Sequence, residues 1–313
     1  MRKFLVIKII IAFVILFFLI RFINYDEIIS AFRKADFLLL LIGVLLFIPN
    51  IMMQLLKWRF LLNLGNPSIK TPEVIKSFFA GFSVGMVTPG RVGEISRAFF
   101  IRGSDRIKIL GYTIIDRVYS LLVTILFGLL SVAYLLVFNF KFSIFLLIPI
   151  LVITFFFLIV VLYFAINPEL FRSFVYNINI ILPKREKIKR FLSLFDEFTR
   201  GKALIVFIYS SVTFFIYITQ FYIFVNAFQR ISIFPGYLSS IATIFTKSLI
   251  PVSVGDLGVR EGASIFFFSR FSINSSSAFD SSILLFSVNV FLPAVIGFGI
   301  IIFSILTDKR NKN

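Results

Sequence analysis

The chain contains no cysteine and no histidine. The first absence removes disulfides, thiol nucleophiles and thiolate metal sites. The second removes Ser-His and Cys-His catalysis, and together they exclude zinc and haem ligation by those residues. An enzyme would have to work from carboxylates, serine or lysine, and no such constellation is evident. No catalytic activity, cofactor or metal is therefore expected. No G-x-x-x-x-G-K-[ST] stretch occurs, so direct use of ATP is not expected either. Acids are scarce: 15 Asp and Glu stand against 32 Lys and Arg, a formal net charge of +17.

What is present is apolar. Of the 313 residues, 59% are hydrophobic and 45 are phenylalanine. Apolar runs of about 20 residues recur, the length that crosses a bilayer as a helix. They are continuous rather than alternating, which argues against a β-barrel. The basic residues cluster beside these runs, so their expected partner is an anionic lipid surface and not nucleic acid.

Six segments have the length of a span: Phe4–Ile23, Phe37–Leu56, Ile109–Phe138, Phe142–Ile166, Ala203–Phe228 and Ser281–Leu306. Two further pairs of apolar stretches are too short. Val74–Val87 runs into "TPG" and is followed by Arg91–Ile101. Tyr237–Ile250 runs into "PVSVGDLG" and is followed by Val259–Phe271. Each pair reads as two half-helices meeting at a Gly/Pro break, a re-entrant hairpin. Two spans, a hairpin and a span then occur twice, over residues 1–138 and 142–306. Three full crossings per unit would turn the second copy upside down. The expected fold class is an all-α polytopic membrane protein, one transmembrane domain over 1–313, with about six spans and two re-entrant hairpins in an inverted-topology repeat.

Charge sets the expected orientation. With both termini in the cytoplasm, inner segments hold twenty basic residues, Lys57 among them, and outer segments six. An inner loop over 168–202 places Ile188, Phe191, Leu192, Phe195 and Phe198 at helical spacing beside basic residues. It reads either as a helix on the anionic inner leaflet or as a solvated connector. The stretch "SINSSSAFDSS" near 272–282 reads as an outer loop.

Nine charged residues remain at membrane depth: Arg91, Glu94, Arg97, Asp116, Arg117, Lys247, Asp256, Arg260 and Glu261. A charge at the bilayer centre costs about 2.5–3.5 kcal/mol on insertion scales, so these residues belong in the interior or in a wet cavity. Both breaks carry Gly-x-x-Gly followed by an acid and a base: Gly90 and Gly93 with Glu94, and Gly255 and Gly258 with Arg260 and Glu261. Free backbone N–H groups at a helix start, with an arginine beside them, make an anion site suited to phosphate. Other readings stay open. Glu94 and Glu261 favour a helix dipole wherever they sit in a first turn. Glu94 with Arg97, Asp116 with Arg117 and Asp256 with Arg260 have the spacing of structural pairs. Lys247 either meets ligand or snorkels.

"TPGRVGEISR" together with "PVSVGDLGVREG" resembles the lysylphosphatidylglycerol synthase transmembrane-region family, over essentially the whole chain. That family includes the flippase-like membrane half of those synthases and stand-alone members associated with envelope lipids or polyprenyl-linked glycans. The positions matching its motifs are Pro89, Gly90, Arg91, Gly93, Glu94 and Arg97, and Gly255, Gly258, Arg260, Glu261 and Gly262. The second motif departs from the family's Gly-Gly-x-Gly at Asp256. The synthases carry a soluble aminoacyl-transfer domain; this chain ends at Asn313, so lysyl transfer is not expected of it. The resemblance implies a flippase or scramblase of an anionic or phosphate-bearing lipid in the cytoplasmic membrane. Alternatives are an ion-coupled small-solute transporter and an accessory subunit of an envelope glycosyltransferase, with that enzyme as partner.

Overall fold

A computed structural model describes residues 25–88, 91–101, 105–138, 144–167, 169, 198–250 and 257–310. Every regular element among them is helical. In chain order they are α1 (Tyr25–Lys34), α2 (Phe37–Leu45), α3 (Phe47–Gly65), α4 (Thr71–Met86), a 3-10 helix (Val92–Phe99), α5 (Arg106–Phe138) and α6 (Ile144–Ile166). After them come α7 (Arg200–Phe228), α8 (Ile233–Leu249), α9 (Val259–Ser269), α10 (Ser275–Phe286), a π turn (Ser287–Phe291) and α11 (Leu292–Arg310).

Among the described residues, four helical stretches are long and apolar enough to cross a membrane: Phe37–Gly65, Arg106–Phe138, Arg200–Phe228 and Ser275–Ser304. The first three contain an expected span whole, and the fourth overlaps the expected span Ser281–Leu306. The expected span Phe142–Ile166 is α6, an apolar helix of 23 residues over Ile144–Ile166. The expected first span, Phe4–Ile23, lies outside the described residues. The spans run past their predicted ends because the sequence stops being apolar before the helix stops. Residues 57–65 of α3 are mixed in character, yet Trp58, Leu61 and Leu62 are buried in the core with Phe78 and Tyr112.

The two short pairs are also present. α4 has 16 residues and α8 has 17, about 24–26 Å at 1.5 Å per residue and short of a bilayer of about 30 Å. Their second arms differ from one another. α9 is an α-helix of 11 residues, as expected. The arm after the first break is a 3-10 helix of eight residues, not the expected α-helix. The cause is a close approach. A Cβ on Gly93 would run into the Val84 carbonyl and come within 2.7 Å of Thr88 Oγ1. Thr88 Oγ1 also accepts a hydrogen bond from the Gly93 N–H at 2.7 Å. Arg91 makes the turn in the left-handed region, with φ 57°.

The first hairpin helix α4 packs on α11, the last helix. The second hairpin helix α8 packs on α5 and on its own second arm α9. α7 runs through the middle, touching α2, α3, α5, α8 and α10. Its Phe221, Phe224 and Val225 build an apolar cluster with Phe268, Ala278 and Leu285.

The serine-rich stretch read as an outer loop is helix α10. Ser276, Ser277, Ser281 and Ser282 are buried, and they let helices approach closely while satisfying polar partners. Ser264 Oγ donates to the Ala278 carbonyl at 2.8 Å. The turn before α10 is tied by Gln229, which accepts from Asn274 N and donates to the Ser272 carbonyl. Of the apolar face expected near 188–198, only Phe198 lies within the described residues. It is buried against Tyr119 rather than laid on a leaflet.

Candidate functional site

The site grows from a charged cluster where α3, the 3-10 helix and α5 meet. Glu94 is buried and receives three arginines. Arg91 Nη2 is 2.8 Å from its Oε1, Arg97 Nη2 is 2.9 Å from its Oε2, and Arg117 Nη2 also meets Oε1. Asp116 on α5 takes Arg97 Nη1 at 2.9 Å and Lys57 Nζ at 2.6 Å. Lys57 also donates to Ser120 Oγ at 2.9 Å and to Ser210 Oγ at 3.2 Å. Arg97 is 2% exposed and lies between the rings of Trp58 and Phe78, 4.9 and 5.1 Å from their centroids. Trp58 is fixed in turn by its Nε1–H to Ser77 Oγ at 2.9 Å.

Four cations thus share two carboxylates, a local excess of two positive charges. Arg91 and Arg117 are the two that open outward, toward a cavity of about 190 Å³. Lys247, near the end of α8, lines the same cavity, and among the described residues no carboxylate does. Arg91 rests over Phe82, 4.6 Å from the ring centroid. Its Nε and Nη2 make no hydrogen bond, nor does Arg117 Nη2, although both guanidiniums lie at ion-pair distance from Glu94. Two guanidiniums on one carboxylate oxygen leave their charge only partly balanced, which favours an anion beside them.

The remaining polar lining is neutral. Asn50 is held by Gln54 at 2.5 Å, and Asn289 donates to Gln220 Oε1 at 2.8 Å. Both asparagines are buried and line the cavity, and each keeps one unsatisfied atom: the donor Asn50 Nδ2 and the acceptor Asn289 Oδ1. A free donor and a free acceptor beside a cationic wall fit a hydroxyl next to a phosphate. Ser120, Thr124, Thr213 and Tyr217 add hydroxyls.

The second break is built differently. Glu261 accepts from the Gly258 N–H at 2.6 Å, from Arg260 Nη2 at 2.5 Å and from Ser282 Oγ at 3.1 Å. Arg260 Nε donates to Ser282 Oγ at 3.0 Å. Both side chains are fully buried, and neither lines the cavity.

The family follows from the sequence as a whole. The model of the lysylphosphatidylglycerol synthase TM region matches residues 5–297. The chain belongs to this family. A search of curated proteins finds no match. Within the family's motifs, Gly93 sits against α4, Arg91 reaches the cavity, and Glu94 and Arg97 lie behind it. Gly258, Arg260 and Glu261 form the separate buried knot with Ser282 on α10. Pro89, Gly90, Gly255 and Asp256 lie outside the described residues.

One expected pairing is replaced, Glu94 with Arg97 is present, and Asp256 with Arg260 lies partly outside the described residues. Asp116 pairs with Lys57 and Arg97 instead of its neighbour Arg117, because adjacent residues on a helix point about 100° apart. Arg117 turns to Glu94. Lys57, expected in an inner segment, is 3% exposed and holds Asp116. The amides Asn50, Gln54, Gln220 and Asn289 carried no sequence signal beyond being polar residues inside apolar runs.

Proposed function

We propose that the chain is a translocator of an anionic, phosphate-bearing membrane lipid across the cytoplasmic membrane. The observation that carries this reading is a cavity lined by Arg91, Arg117 and Lys247 and, among the described residues, by no carboxylate. The headgroup phosphate lies against the two arginines, with Lys247 closing the charge balance. Asn50 and Asn289 meet a hydroxyl beside that phosphate. The acyl chains stay in lipid while the headgroup passes. Glu94 and Asp116 hold the arginines in place and do not touch the ligand. Arg260 and Glu261 brace α9 against α10. No covalent step is required, and the protein acts as a carrier rather than an enzyme.

Alternating access comes from the two hairpins. Each packs on the last helix of the other half, α4 on α11 and α8 on α5, a reciprocity that supports an inverted repeat with rocking halves. The cavity takes Arg91 from the first hairpin and Lys247 from the second, so rocking changes its two walls relative to each other. The excess of basic residues between the spans supports an orientation with both termini inside.

The test is headgroup-tracked lipid movement in proteoliposomes, using phosphatidylglycerol and its lysylated form as probes. Faster movement of the anionic lipid, lowered at least tenfold by Arg91→Ala or Arg117→Ala, is expected. Uptake of free phosphate without lipid movement would replace this reading with a small-solute transporter, which the same cations would suit. Equal movement of both lipids, unaffected by either substitution, would sink the anion site.

A further inference from the structure

One buried carboxylate takes no part in the cavity or in either ionic cluster. Asp280, on α10, is 1% exposed, and neither of its oxygens has a hydrogen-bond partner. α10 is packed by α9, α7, α1 and the π turn. α9 carries Arg260 and Glu261, with Arg270 just past its end, and α1 carries Asp26, Glu27, Arg33 and Lys34. α7 has Arg200 and Lys202, at its far end. The π turn has no ionisable residue. None of them makes an ion pair or hydrogen bond with Asp280 among the described residues.

Helical geometry explains why Arg260 and Glu261 miss it. α9 is held through the Ala278 carbonyl and Ser282. Asp280 lies two residues from each, about 200° round the helix at 3.6 residues per turn. Its carboxylate therefore leaves α10 on the side away from α9. An ionised carboxylate buried without a partner costs several kcal/mol. A proton removes that cost by itself. A metal cation would need several further oxygen ligands, and no group of three or more acidic side chains suited to a metal occurs among the described residues. The group is also near an end of its helix: five residues in from Ser275, about 7.5 Å at 1.5 Å per residue.

We infer that Asp280 is a proton-binding site through which a proton gradient acts on the lipid movement proposed above. The inference rests on that reading for its second half only. α10 connects the site to the cavity directly, because the same helical stretch continues through the π turn to Asn289, which lines the cavity wall. With Asp280 protonated and neutral, α10 stays seated. Deprotonation requires the carboxylate to reach water or a partner, and α10 must move to allow it, taking Asn289 with it.

The experiment has two arms on the purified full chain in phosphatidylglycerol-containing vesicles. Infrared difference spectra between acid and alkaline buffer should show a protonated carboxyl band. It should vanish in Asp280→Asn and shift in Asp280→Glu. Under an imposed pH gradient, headgroup-tracked phosphatidylglycerol should redistribute between leaflets by up to about tenfold per pH unit, as one proton per lipid allows. Asp280→Asn should still equilibrate lipid and lose the redistribution; Asp280→Glu should keep it. A band unchanged by Asp280→Asn, or a wild-type lipid distribution indifferent to the gradient, overturns the inference. A band that follows Asp280 in a protein moving no lipid upholds the proton site and removes the translocator reading instead.

Discussion

Replacing Glu94 by glutamine should weaken the fold and strengthen anion binding at once. Glu94 is 3% exposed and faces Arg91, Arg97 and Arg117. The substitution keeps the shape and removes the charge, leaving four cations with the single carboxylate of Asp116. Deleting one partner of a buried ion pair costs about 3–5 kcal/mol. Arg117 is one-third exposed and Arg91 partly so, which screens their share. The lower end, about 3 kcal/mol, is the expected loss. An anion that binds the freed arginines should give most of it back: at 100 times its dissociation constant, a ligand stabilises by about 2.7 kcal/mol. Trp58 is the only tryptophan and stacks on Arg97, so its fluorescence reports from inside the cluster. Thermal unfolding would be followed by that signal in detergent, with and without phosphatidylglycerol. The lipid should raise the midpoint of Glu94→Gln more than that of the wild type. A variant as stable as wild type, or one indifferent to the lipid, would refute the account of Glu94 as the carboxylate that restrains two cavity arginines.

Further outcomes follow from the same geometry. Lys57→Met should destabilise by about 3 kcal/mol by stranding Asp116, and adding Asp116→Asn should recover part of the loss; additive penalties in thermal unfolding would contradict the pairing. Gly297→Ala should fail to fold or unfold early in a detergent-stability assay, because the new Cβ meets the Phe79 carbonyl and Ser83 Oγ where α11 crosses α4. Gly299→Ala, two residues on, meets nothing within 4 Å and should gain up to about 1 kcal/mol in the same assay. Arg260→Lys should lose about 1.5–3 kcal/mol, since one ammonium cannot reproduce a planar donor set bonding Ser282 and Glu261 together; unchanged unfolding would show that the fork geometry does not matter.

The spans were readable because length and continuous apolarity suffice to identify a helix in lipid. The charged breaks were readable because ionisable residues between short apolar runs have few places to go. Which cation faces which acid was not. Lys57 lies one residue beyond the predicted end of its span and counts as a loop charge until α3 is seen to continue to Gly65. The serines of 275–282 have loop composition. They are helical because α9 and α7 press on them, and small hydroxyl side chains suit that closeness. Asp280 was passed over with that loop. The two breaks are alike in sequence and unlike in setting. Their glycines and charges match in the sequence, but Arg91 opens on the cavity while Arg260 is sealed behind Ser282. The first arm turns through a positive φ at Arg91 itself and the second at Gly258, and nothing in the residue types announces that shift.

The π turn at Ser287–Phe291 has a consequence for how the last membrane helix can be divided. Its closing bond runs from the Leu292 N–H to the Ser287 carbonyl, five residues back, so one residue more than an α-helix needs is stored there. In screw terms, that residue is a phase offset of about 100° between α10 and α11. Ala278 and Ser282 keep their phase for α9, while Ala294 and Gly297 keep theirs for α4. Deleting any one residue of the turn would leave both halves helical and misaim one of them. The continuous rod is thus two differently indexed screws on one thread, and a twist imposed on either half is delivered to the other.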